Sequence, residues 1–350
     1  MTERQALTAA ACIVAVAAVA YAGFHAGNSD WLGSGAAGQA GGAKRSARES
    51  SGRERQLAAA LRRGVTRAAK FGGRVEAAAM LDGSRRPLLA GSTRHGAEQP
   101  MRMWSMSKVV TAIALLQALH WGDRPGEPLP AEVEAGLHGA IVRSENCRQR
   151  RIVLELQRRL GGATAVRRAF AAILAEAGAQ ARIGAELGAP EAHCLPFLDA
   201  QTEIDEPLEP TLLLGISTWR VADAARLAHA LAGGAYGAAI SERVLGLMRE
   251  PKQPSREALA GELTAPANWG AGLAFAGLDP AFKAGWGGSL NGNFLAGQLV
   301  SVSIGGGDHL AIAVMFHPDV QPPRDDPGIT AAQAALQAVM ATVRSEGRLR

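Results

Sequence analysis

Along this chain the hydrophobic pattern switches four times between helix and strand, and that order most constrains the fold. A helical pattern over 56–70 precedes two short strand-like runs, 74–80 and 86–90, separated by Asp82-Gly83-Ser84. Two short runs joined by such a turn are a hairpin signature. From 105 to about 262 the pattern is helical, in segments 105–120, 147–160, 163–177, 218–233 and 240–249. The acidic, proline-broken stretch Glu203 to Pro210 is a loop. Strand patterns return at 282–286, 298–304 and 310–316, the last two joined by Gly305-Gly306-Gly307-Asp308, and a helix over 330–346 closes the chain. Helix and hairpin, then helices, then antiparallel strands and a helix predict an α/β (α+β) sandwich. An antiparallel sheet is flanked by helices and interrupted by an all-helical subdomain. The α/β part is about 55–104 and 266–346, the helical part about 105–265. A cleft between the two is the natural active site.

The N-terminus reads as a targeting segment, residues 1–26. Arg4 precedes the run Ala6 to Phe24, in which Thr8 is the only strongly polar side chain. That is long for a signal peptide and just long enough to span a bilayer. The small-x-small site Ala18-Val19-Ala20 keeps cleavage open, while the length favours an uncleaved membrane anchor. Residues 27–54, rich in Gly, Ala, Ser and Arg without a period, read as a flexible linker. Basic residues after an anchor tend to stay cytoplasmic, but these begin some way beyond it, and a long domain can be translocated regardless. The expected location is therefore extracytoplasmic. In an exported domain the pair Cys147 and Cys194 is expected to form a disulfide, with Cys12 set aside in the apolar run.

The formal charge of +5 is mild for 350 residues, and much of it lies in Lys44, Arg45, Arg48, Arg53, Arg55, Arg62, Arg63 and Arg67. A solvated linker and helix face explains that cluster better than a lipid or wall-polymer site. No basic patch interleaves with aromatics, so no nucleic acid is expected as a partner. The eight histidines lack His-Glu-x-x-His spacing, and the glycine groups at 287–288 and 305–307 open no helix. Neither a metal nor a cofactor is expected. A monomer is expected. There is no Gly-x-Ser-x-Gly elbow.

The chemistry concentrates in Trp104-Ser105-Met106-Ser107-Lys108, which heads the apolar run Val109 to Leu116. Positions i and i+3 share a helix face, so the Lys108 amine can reach the Ser105 oxygen. Serine is a weak nucleophile until a base activates it, and burial among apolar neighbours favours the neutral, basic form of lysine. Only five of the 37 basic residues are lysines. One of them at the head of an apolar helix is therefore a poor candidate for surface charge. The same motif also fits a helix start with Ser105 as its cap. Two further groups match this chemistry. Ser144-Glu145-Asn146 lies between helical segments and supplies a second hydroxyl and a carboxamide, and Phe282-Lys283-Ala284-Gly285-Trp286 begins a strand with a second amine.

Ser-x-x-Lys, Ser-Glu-Asn and Lys-Ala-Gly in this order resemble the signature set of the penicillin-recognising serine enzymes, the β-lactamases and penicillin-binding proteins. The likeness is strongest to class A β-lactamase-like hydrolases and covers about residues 56 to 346. It implies that Ser105 is the acylated nucleophile and Lys108 its base. Ser144 passes a proton to the leaving amine, Asn146 binds the substrate amide, and Lys283 holds Ser144 and attracts a carboxylate. The N–H groups of Ser105 and Trp286, the latter beside Gly285, form the oxyanion hole. The implied substrate is a small molecule or a peptidoglycan-like peptide.

Four departures accompany the likeness. Glu145 stands where the second motif usually has Asp. Ala284 replaces the hydroxyl residue that follows the lysine. No arginine occurs between Gly285 and Pro323, and no asparagine between Asn146 and Asn268 to help a carboxylate such as Glu186 or Glu191 hold a deacylating water. Slow deacylation is the expectation, which argues against an efficient β-lactamase. The same departures fit a non-hydrolytic relative that binds a wall fragment or a protein partner.

Overall fold

The computed structural model describes residues 39–93, 99–124, 127–182, 217–250, 271–287, 295–305, 307–319 and 327–347. The chain divides into two compact units, Met1–Gly52 and Arg53–Arg350. Helix α1 spans Gln39–Ala68 and so begins inside the stretch 27–54 whose composition indicates a linker. Alanine, lysine, arginine and glutamate between 43 and 55 are good helix formers, which offset the glycines and serines there.

In the second unit β1 (Gly73–Leu81), β2 (Leu88–Gly91), β6 (Ala281–Gly287), β7 (Leu295–Gly305) and β8 (Asp308–Pro318) form one antiparallel sheet. Its order is β2-β1-β8-β7-β6, so the opening hairpin pairs with the last strand and the helical segments are looped out between. The register explains the sequence pattern. Val75, Ala77, Ala79 and Leu81 of β1, with Leu310, Ile312, Val314 and Phe316 of β8, pack in one core cluster. Ala78, Met80, Ala311, Ala313 and Met315 pack in the other. A strand covered on both faces reads as continuously apolar, which is why β1 is almost wholly buried.

The first face is covered by α1, by α8 (Ala271–Ala274) and by α9 (Pro327–Glu346). Ala332, Ala335, Leu336, Val339, Met340 and Val343 of α9 recur at helical spacing and form its buried stripe. The second face meets α6 (Val221–Ala232) and the helical subdomain. At the centre of that subdomain lies α2 (Lys108–Ala118), buried over its first nine residues. A helix apolar on every side belongs inside a bundle. Around it stand α3 (Ala131–Ile141), α4 (Asn146–Leu160), α5 (Ala163–Glu176) and α7 (Ala238–Arg249).

The sequence pattern misses α3. Pro128 and Pro130 precede it and Gly136 and Gly139 lower its propensity, so packing against α4 holds it rather than intrinsic preference. Also missed is a small sheet of two-residue strands, β3 (Met101–Arg102), β5 (Thr218–Trp219) and β4 (Ala181–Arg182). Such strands are too short to show a period. Among the described residues no helix is long and apolar enough to cross a membrane. The run Ala6 to Phe24, the loop Glu203 to Pro210 and Cys194 lie outside the described residues.

Candidate active site

Ser105 sits in a 3-10 turn, Trp104–Ser107, that leads directly into α2, and Lys108 is the first α-helical residue. Trp104 adopts a positive φ of 44°, which turns the chain sharply before the serine. The Lys108 amine lies 3.0 Å from Ser105 Oγ and is buried. It also donates to the Ser144 carbonyl, to Ser144 Oγ at 3.3 Å and to Asn146 Oδ1 at 2.8 Å. Lys283, on β6, donates to Ser144 Oγ at 2.8 Å and to the Ala284 carbonyl at 3.0 Å. Two buried amines thus converge on one hydroxyl, and one of them also holds the second hydroxyl.

The loop between α3 and α4 places Ser144. Ser144 has φ of 59°, a left-handed conformation that costs free energy outside glycine. The Glu145 N–H donates to the Gly139 carbonyl at 2.9 Å, and Glu145 is the residue before the first turn of α4. Its carboxylate is buried with Arg148 3.5 Å away. A Cβ on Gly139 would lie 2.5 Å from Arg148 Cγ and 2.7 Å from Glu145 Oε2, so glycine there lets this ion pair pack against α3. Glu145 therefore points into the structure, not toward the two serines.

Gln149 is a residue the sequence reading missed. It lies one turn beyond Asn146 on α4, and its Nε2 donates to Ser107 Oγ at 3.3 Å and Thr111 Oγ1 at 3.1 Å. It ties α4 to α2 and so fixes the carboxamide of Asn146 against Lys108. Its i+3 spacing from Asn146 is the signal that could have found it.

The sheet holds the turn from below. Gly285 pairs with Gly297, which pairs with Met315, which pairs with Glu76. A Cβ on Gly285 would lie 3.0 Å from both Met103 O and Met106 N, and one on Gly297 would lie 2.9 Å from Met106 Cε. Two glycines let the Ser105 turn rest directly on β6 and β7. Trp286 follows Gly285 on β6, paired with Ala296, so its backbone runs on from this contact.

Glu76 ends that row and was also missed. It is wholly buried, and neither carboxylate oxygen has a hydrogen-bond partner among the described residues. Arg74 Nε approaches Oε1 at 3.4 Å. Burial raises the carboxyl to about 7, with the Arg74 charge partly opposing. A lone acid inside the run Val75 to Leu81 was the available signal. Ala284 packs against the α1/α9 side of the sheet and supplies no hydroxyl. The side chains of Cys147 and Trp286 and the residues Cys194, Glu186, Glu191 and Trp269 lie outside what is described, whereas Trp219 is buried in the core.

No family model and no curated protein matches the chain. Solved structures do. The TLA-3 extended-spectrum β-lactamase is similar over 80% of this chain and 97% of its own, at 14% identity and TM-score 0.52. A class A β-lactamase from Bacteroides cellulosilyticus is similar over 83% of this chain and 99% of its own, at 13% identity and TM-score 0.52. The transpeptidase domain of FtsI4 from Legionella pneumophila covers 83% of this chain and 97% of its own, at 13% identity and TM-score 0.52. The fold is that of the β-lactamases and penicillin-binding transpeptidases, as the resemblance of the three motifs implies.

Proposed function

We propose that this chain is an exported serine hydrolase that forms an acyl-enzyme on Ser105 with an amide or ester, of the cell-wall peptide class by its resemblance. One observation carries the reading: Lys108 lies 3.0 Å from Ser105 Oγ, while Lys108 and Lys283 both reach Ser144 Oγ. In acylation Lys108, as the free amine, takes the Ser105 proton while Oγ bonds to the substrate carbonyl carbon. The carbonyl electron pair moves to oxygen, facing the N–H groups of Ser105 and Trp286. One such donor is worth on the order of a hundredfold in rate or more. The carbon–nitrogen bond then breaks, and the leaving amine takes a proton from Ser144, which the Lys108 ammonium restores. Asn146 binds the substrate amide, and Lys283 holds Ser144 and attracts a substrate carboxylate. The run Ala6 to Phe24 serves as signal or anchor and places the domain outside the cytoplasm.

Ala284 favours a second reading, in which the pocket binds a wall fragment or protein partner with little or no turnover. Intact-mass analysis after incubation with a fluorescent penicillin and with a fluorophosphonate separates the two. A stoichiometric adduct on wild type and none on Ser105→Ala supports the hydrolase. An unmodified, folded wild type after both reagents supports the binder. For an adduct that forms, its loss over minutes or its persistence over hours measures deacylation.

A further inference from the structure

Away from the serines, three elements bring a second set of polar side chains together. Asp82 opens the turn between β1 and β2, His309 is the second residue of β8, and His229 lies in the last turn of α6. The Asp82 N–H donates to the His309 carbonyl at 3.1 Å, which pins the turn to β8. Ala313, in the row of Lys283, is four residues further along β8. At strand spacing that is about 13 Å. The cluster therefore lies off the Ser105 site.

The two imidazoles meet with ring centroids 4.9 Å apart, and His309 Nε2 lies 3.0 Å from His229 Nδ1. Asp82 Oδ1 is 3.6 Å from the other nitrogen of His309, Nδ1. One ligand atom from each of the three residues lies within 4.8 Å of the others. From this geometry we infer that His229 Nδ1 and His309 Nε2, with Asp82 behind the His309 ring, form a binding site for a borderline divalent cation of the Zn2+ class.

The distances fit. With Zn–N bonds of about 2.0–2.1 Å, two ligands of a tetrahedral ion stand about 3.3 Å apart. The imidazole nitrogens at 3.0 Å need to separate by only a few tenths of an ångström. A carboxylate beside the distal nitrogen is the usual means of fixing the tautomer and orientation of a ligating histidine, and Asp82 is placed to do this for His309. Imidazole with carboxylate suits Zn2+ better than Ca2+ or Mg2+, which prefer all-oxygen sets. Asp82 is exposed and His309 partly so, which gives the ion a path in. Bound there, the ion would fasten α6 to β8 and to the opening hairpin. Residues at 82, 229 and 309 share no local spacing, so only the fold assembles the set.

The alternative is a hydrogen bond between two packed imidazoles with no affinity for metal. Calorimetric titration of the EDTA-treated full chain with Zn2+ decides, with Co2+ as an optical probe. The site predicts one saturable equivalent in wild type and in Ser105→Ala. It predicts at least a hundredfold weaker binding in His229→Ala and His309→Ala, and about ten- to a hundredfold weaker in Asp82→Asn. No saturable binding by wild type overturns the inference, as does wild-type affinity in folded His309→Ala. If the alanine variants do not fold, Co2+-shifted imidazole resonances in wild type decide instead. Two shifted rings support the site and none overturns it.

Discussion

The two faces of the central sheet do different work. On the α1/α9 face the core is aliphatic and aromatic, and the buried side-chain oxygens of Gln298 and Thr342 bond to backbone. Gln298 Oε1 accepts from the Ala271 N–H at 3.0 Å, and Thr342 Oγ1 donates to the Ala338 carbonyl at 2.7 Å. On the opposite face the same strands bury Lys283 and Glu76, and above them lie Lys108, Ser107 and Gln149. Burying charge costs free energy unless it is paired and hydrogen-bonded. The apolar face supplies the stability that lets the polar face keep amines in position for chemistry. That division makes separable predictions.

Lys283→Met is expected to give the largest effect, on chemistry alone. It removes a donor from Ser144, so acylation by a fluorescent penicillin should slow by about a hundredfold or more, while thermal unfolding moves little because a buried charge has gone. Equal rates would separate Lys283 from the reaction. Leu336→Ala is the converse. Truncation on the α1/α9 face should destabilise by about 2–5 kcal/mol in denaturant titration, with the acylation rate of the folded fraction unchanged. A parallel loss of rate would show that the faces are not separable. Gly285→Val tests where they meet, because the new side chain collides with Met103 and Met106 beneath Ser105. A loss of about 1–3 kcal/mol in stability is expected, together with slower acylation.

Glu76→Gln tests the polar face through pH and should have the smallest effect. The folded carboxyl, raised to about 7 from 4.5, binds a proton that the unfolded chain has released between those values. Wild-type stability therefore falls as pH rises through that window and stays lowered above it. The variant lacks this loss, so its melting temperature should exceed that of wild type by on the order of 5 °C at pH 8 and match it near pH 4. Parallel melting curves across the range would show that Glu76 is solvated.

The sequence reveals the elements more readily than their junctions. β1 and β8 are legible because they are short apolar runs bounded by turn residues, and α9 because its apolar residues keep a helix period. α3 is not, because Gly136 and Gly139 lower its propensity and Gly139 meets the close approach of Arg148 and Glu145. Within the site, Ser105 and Lys108 are legible because their distance is local, and Ser144, Asn146 and Lys283 through a resemblance of motifs. Gln149, Glu76 and the pairing of Gly285 with Gly297 depend on which strand or helix lies opposite. That information exists only once the sheet has closed. The Asp82–His229–His309 cluster was hidden for the same reason.

The central claim is that Lys108 activates Ser105 in a site already assembled. The most direct measurement is the rate at which wild type and Lys108→Met take up a fluorophosphonate, with the adduct located by peptide mapping. The account predicts an adduct on Ser105 and a rate at least about a hundredfold lower in the variant. An adduct on another residue, or equal rates in the two folded proteins, would contradict it.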